Sequence, residues 1–167
     1  MRDKDGLLLA AVKVGDFEAA QAAIAGGASK DAATPFGFTA LHIAATAGHL
    51  PIVRLLVDNG ADIDCRDSHG LSPLHQAIGW PEVMQALLDS GADVDGVTAQ
   101  GVTPLMCASA FGELASARLL LVMGAKVDLR DDRDSTAADI AREKGADEIA
   151  VLLDSITSQS TDSESPV

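Results

Sequence analysis

A period of about 33 residues constrains this chain more than any other property. Gly-Ala-x-x-Asp recurs at Gly27–Asp31, Gly60–Asp64, Gly91–Asp95 and Gly124–Asp128, in steps of 33, 31 and 33 residues. A second glycine series, Gly15, Gly48, Gly79, Gly112 and Gly145, keeps the same phase with steps of 33, 31, 33 and 33. A third feature opens three units: Gly-Phe-Thr-Ala-Leu-His from Gly37, Gly-Leu-Ser-Pro-Leu-His from Gly70 and Gly-Val-Thr-Pro-Leu-Met from Gly101. A repeat of this length is one supersecondary unit that cannot bury its apolar face alone, so neighbouring copies must stack.

Each unit reads as two short helices and a turn. Thr39, Ser72 or Thr103 caps the first helix, with Pro73 and Pro104 at the first helical position, where a missing N–H costs nothing. The second helix is the more apolar, with Ile52, Val53, Leu55 and Leu56 in one copy and Val83, Met84, Leu87 and Leu88 in the next. It stops at Gly60 or Gly91, where a residue of positive φ is expected. The units fall at about 4–33, 34–66, 67–97, 98–130 and 131–156. Residues 157–167 are polar, acidic and Ser-rich, which by composition reads as a disordered tail. Its end, Ser165-Pro166-Val167, fits a carboxyl motif of the kind PDZ domains bind, although a bare tail is the simpler reading.

These residues resemble the ankyrin-repeat family, through Thr39-Ala40-Leu41-His42-Ile43-Ala44-Ala45, Ser72-Pro73-Leu74-His75, Thr103-Pro104-Leu105, Gly48-His49 and the Gly-Ala-Asp-x-Asp turns. The resemblance implies an all-α ankyrin-repeat solenoid of about five units with exposed finger loops. It also implies that His42 and His75 bond neighbouring loops, and that a ligand lies against the finger tips and the exposed face of the inner helices. Carried onto this sequence, that face offers Phe36, Phe38, Arg66, Ser68, His69, Leu71, Gln100, Val102, Phe111 and Arg133 as partner-binding residues. Unit three departs from the pattern, because Ala77-Ile78-Gly79 is two residues shorter than Ala44-Ala45-Thr46-Ala47-Gly48. Its first helix should end early. Trp80 either flanks the resulting notch as a further partner-binding residue or fills it as core.

Composition narrows the rest. One Trp, four Phe and no Tyr leave an aliphatic, Ala-rich core suited to thin helical layers. The net charge of −13 makes nucleic acid and anionic membrane poor partners. No apolar run nears the ~20 residues of a spanning helix, and residues 1–14 lack the long apolar segment of a signal peptide. Two cysteines make neither a disulfide framework nor a metal set, so a cytoplasmic protein is expected, and the chain is expected to be a monomer.

Chemistry finds no motif. The Asp-rich fingers fail the calcium-loop pattern, since Arg66 stands at the third ligand position after Asp62 and Asp64. Asp128, Asp131, Asp132 and Asp134 read as solvated turn residues. Cys65 and Cys107 have no evident base, and no Gly-rich phosphate cradle or zinc spacing occurs. Neither catalysis nor a cofactor or metal is expected. What remains is a non-catalytic protein-binding module. No Lys or Arg lies between Arg66 and Arg118, while Asp67, Glu82, Asp89, Asp93, Asp95 and Glu113 do, a field that suits a basic partner. An adaptor or scaffold, an inhibitor or immunity-type protein masking a basic enzyme or toxin, and a small-molecule binder at the unit-three notch are the readings left open.

Overall fold

The computed structural model describes residues 3–162, with side chains described as far as Ser158. The Ser165-Pro166-Val167 motif lies outside the described residues. The chain forms two compact units that part between Asp93 and Val94. The first holds α1 (Lys4–Val14), α2 (Phe17–Ala25), α3 (Ala40–Thr46), α4 (Leu50–Asp58), α5 (Pro73–Gln76) and α6 (Pro81–Asp89). The second holds α7 (Pro104–Phe111), α8 (Leu114–Val122), α9 (Ala137–Lys144) and α10 (Asp147–Asp162). In the first unit α1, α3 and α5 form an inner layer, with α2, α4 and α6 behind them; in the second, α7 and α9 lie before α8 and α10. Leu8, Leu41, Ile52 and Leu56 fill the first core, and Leu105, Met106, Leu120, Ile149 and Leu153 the second. Among the described residues there is no β-strand, only an isolated bridge between Ala33 and Thr39.

Local chemistry sets the helix ends. Thr39 and Thr103 cap α3 and α7, each hydroxyl accepting the backbone N–H three residues on. Pro73 and Pro104 open α5 and α7. In the shortened repeat α5 has four residues where α3 has seven, and Pro81 starts the following helix. Trp80 then lies across the preceding turn. Gly48 has φ 71°, and a Cβ there would stand 2.5 Å from the Trp80 ring. The Trp80 Nε1–H donates to the Thr46 carbonyl at 3.1 Å, and the indole stays 45% exposed. Trp80 is therefore a brace between turns that still meets solvent.

The Asp of three of the four Gly-Ala-x-x-Asp turns, Asp31, Asp64 and Asp95, joins one repeat to the next. Asp31 accepts the Asp62 N–H at 2.9 Å, and Asp64 accepts the Asp93 N–H at 3.1 Å. In the second unit Asp95 accepts the Lys126 N–H at 2.9 Å. Each donor is the third residue of the following Gly-Ala-x-x-Asp turn, so the repeat period is also the period of a hydrogen-bond ladder.

Helix α10 runs to Asp162, past residue 156 where composition places the start of a disordered tail. The hydroxyls of Ser155, Thr157 and Ser158 donate to the carbonyls of Leu152, Leu153 and Asp154, so the polar side chains satisfy helix backbone instead of ending it.

Candidate functional site

The finger loops share one construction. Asp67 N–H donates to the Leu71 carbonyl at 3.1 Å, and its carboxylate accepts the N–H groups of His69 and Leu71 at 2.8 and 3.0 Å. Asp131 repeats this in the second unit, accepting the N–H groups of Arg133 and Ser135, both at 2.9 Å. Thr34 and Thr98 hold the same register, their hydroxyls accepting the N–H groups of Phe38 and Val102 at 3.2 Å. Asp131 is only 7% exposed, and Asp67 6%. The reading of Asp131 as a solvated turn residue is thus corrected. So is the counting of Asp67 as part of the exposed acidic field: both carboxylates face their own loop backbone. The backbone N–H groups near the Asp131 carboxylate, Ser135 foremost, hold it below the usual carboxylate range.

Neighbouring fingers are then tied together. Ser68 N–H donates to the Phe36 carbonyl at 3.2 Å in the first unit, and Asp132 N–H to the Gln100 carbonyl at 2.9 Å in the second. Side chains at the tips face outward. Phe36 is 70% exposed; Ser68, His69 and Gln100 are exposed, and Leu71 and Val102 half-buried. The Arg66 guanidinium donates to the Gly70 carbonyl at 3.2 Å, and Arg133 pairs with Asp131 at 3.3 Å, so both are exposed yet engaged within their loops. On the inner layer, Phe111 at the end of α7 is 73% exposed. Phe38 is half-buried with its ring edge-on to His42, the centroids 6.1 Å apart, and it lines an apolar pit of about 250 Å³ with Ile43, Thr46, Ala47 and Lys13. The first unit therefore brings Phe36, Phe38, Ser68, His69 and Leu71 to the same pair of fingers, and the second gathers Gln100 and Arg133.

His42 takes the structural slot. Fully buried, it accepts the Thr39 N–H on Nδ1 at 3.2 Å and donates from Nε2 to the Leu71 carbonyl at 2.9 Å, joining one repeat to the next finger. Burial holds its pKa below the ordinary histidine value. The unfolded chain therefore takes up this proton at a higher pH than the folded protein does. Stability should fall as pH drops below about 6.5, before most carboxylates titrate. Urea midpoints between pH 7 and 5.5 should decline in the native sequence and decline less steeply in His42→Asn.

The sequence did not reveal the neighbour of that imidazole. The Cys65 sulfur lies 3.6 Å from His42 Nδ1 and 3.3 Å from the Thr39 hydroxyl. Catalysis by such a pair needs a thiolate, and burial pushes the Cys65 thiol up to about 11 while it disfavours the imidazolium. Burial likewise raises Cys107 to about 11. Among the described residues no three His, Cys, Asp or Glu side chains gather as a metal set, and no helix is long and apolar enough to cross a membrane.

A family profile for ankyrin repeats, in three copies, matches residues 7–98 and 79–162. The chain belongs to the ankyrin-repeat family. A Caenorhabditis elegans homologue of transient receptor potential cation channel subfamily A member 1 is 34% identical over 115 residues, which is 68% of this chain and 10% of that protein. Protein phosphatase 1 regulatory subunit 27 of Mus musculus is 43% identical over 82 residues, 47% of this chain and 53% of that protein. The NF-kappa-B inhibitor cactus of Drosophila melanogaster is 51% identical over 43 residues, 25% of this chain and 9% of that protein. The matches thus span about half the phosphatase subunit and a tenth or less of the other two.

Proposed function

We infer that the protein is a non-catalytic binding module that grips a protein partner through its finger tips and inner helix face. The observation that carries this reading is the pair of phenylalanines left in solvent, Phe36 on a finger of the first unit and Phe111 on the inner layer of the second. Large aromatics kept out of an aliphatic core are what a partner's pocket takes up as anchors. The apolar pit beside Phe38 offers a complementary recess. Exposed carboxylates at Glu82, Asp89 and Asp93, with no Lys or Arg between Arg66 and Arg118, favour a basic partner.

An adaptor or scaffold is the primary reading. A masking or inhibitory role is the second, favoured by the acidic surface and by relatives named as a phosphatase regulatory subunit and an NF-kappa-B inhibitor. The test is kinetic. With a partner captured from native lysate, Phe36→Ala and Phe111→Ala should each raise the off-rate, by about 2 kcal/mol if central, with an unchanged melting temperature. Trp80→Ala is a poorer probe, because the indole also braces Gly48. Inhibition of the captured partner's own activity would separate masking from scaffolding. Off-rates unmoved by both Phe variants would contradict the face assigned here.

A further inference from the structure

In the first unit, the residue after the inner-helix glycine of one repeat lies across the glycine of the repeat before it. The His49 imidazole covers Gly15 and the Trp80 indole covers Gly48, each within 2.8 Å of where a Cβ would stand. In the second unit the same register sets Ala146 over Gly112. A methyl group stands where the first unit has rings. Apart from its own sequence neighbours, no described atom lies within 4 Å of a Cβ built on Gly112, and a slot of about 460 Å³ opens there. Gly112, Leu114, Ala146 and Ile149 line it, together with the exposed acidic residues Asp147 and Glu148.

We propose that this slot takes an arginine guanidinium from a basic protein partner. Both side chains that fill the equivalent position in the first unit are flat and carry N–H groups, so a planar N–H donor is the kind of group this position takes. Asp147 and Glu148 add the charge that selects among planar groups. They stand in the first turn of α10, where a bare helix end would attract an anion, and their carboxylates repel one. A guanidinium is the planar, permanently cationic, N–H-rich side chain, able to stack on a peptide plane while its fork meets carboxylates. The Ala110 carbonyl stands in the register of the Thr46 carbonyl that accepts the Trp80 N–H, so the same kind of acceptor accompanies the slot. The proposal rests on the protein-binding reading only for the source of the arginine; its residues are distinct from the fingers and from Phe111.

The experiment titrates the ¹⁵N-labelled full chain with acetyl-Ala-Arg-Ala-amide, and with its lysine and citrulline counterparts. The arginine peptide should shift the amides of Gly112, Ala146 and Asp147 saturably. The lysine peptide lacks the plane and the citrulline peptide lacks the charge, so each should bind at least about 3-fold more weakly. Ala146→Trp, which fills the slot from within as Trp80 does, should abolish the shifts. The double variant Asp147→Asn, Glu148→Gln keeps the slot's shape and should weaken binding about 5-fold, which guards against a misfolded Trp variant. Absence of saturable shifts at Gly112 overturns the proposal, as does equal binding of the three peptides. Shifts confined to the finger amides overturn it too, while leaving the finger-face reading standing.

Discussion

Replacing Gly48 with valine is expected to lower stability by about 3 kcal/mol, one of the two largest single-residue effects the structure calls for. Two costs combine. The residue has φ 71°, a region that disfavours L side chains by about 1–2 kcal/mol and β-branched ones more. A Cβ would also stand 2.5 Å from the Trp80 ring, which must leave the turn and give up its hydrogen bond to Thr46. Trp80 is the chain's one tryptophan, so its fluorescence reports the displacement directly. The urea midpoint should fall and native-state emission should shift to the red. An unchanged midpoint with unchanged emission would mean that the indole does not lie on Gly48.

Removing the carboxylate of Asp131 should be nearly as damaging. Asp131→Ala leaves the N–H groups of Arg133 and Ser135 without their acceptor in a loop whose aspartate is buried, a loss of about 2 kcal/mol. Asp131→Asn retains one oxygen in place and should cost about half as much. The folded carboxylate has a depressed pKa, so its charge-dependent contribution is complete above the unfolded value of about 3.9. It should drain away as pH falls from there toward the folded pKa. A pH-independent difference between the native sequence and Asp131→Asn across that acid range would contradict the assignment.

Much of this architecture is legible in the sequence, because the features that carry it are local demands on backbone. Gly60 and Gly91 stand where the chain needs positive φ, and Thr39, Thr103, Pro73 and Pro104 where helices start. The shortened α5 could be read from a two-residue gap. Burial of Asp67 and Asp131 was harder to see, since Asp62 and Asp128, a few residues before each, face solvent. A signal was present in the register: Thr34, Asp67, Thr98 and Asp131 occupy one repeat position, all short side chains able to accept a loop N–H. Cys65 beside His42 and the indole over Gly48 depend on how repeats meet, which spacing alone does not fix. The helical course of residues 157–162 was hidden by polar composition, because hydroxyls that usually favour loops here donate back to α10. Among the candidate partner-binding residues, Phe36 and Phe111 are the large apolar side chains the structure leaves mostly in solvent, and Arg66 and Arg133 brace their own loops.

Hydrogen–deuterium exchange of the full chain, free and saturated with its captured partner, shows which face the partner covers. With the partner bound, exchange should slow at residues 34–38 and 66–71 and along α3 in the first unit, and at residues 98–102 and 131–135 and along α7 in the second. Protection confined to the outer layer, around Arg54 on α4, Gln85 on α6 or Arg118 on α8, would contradict the finger-face reading.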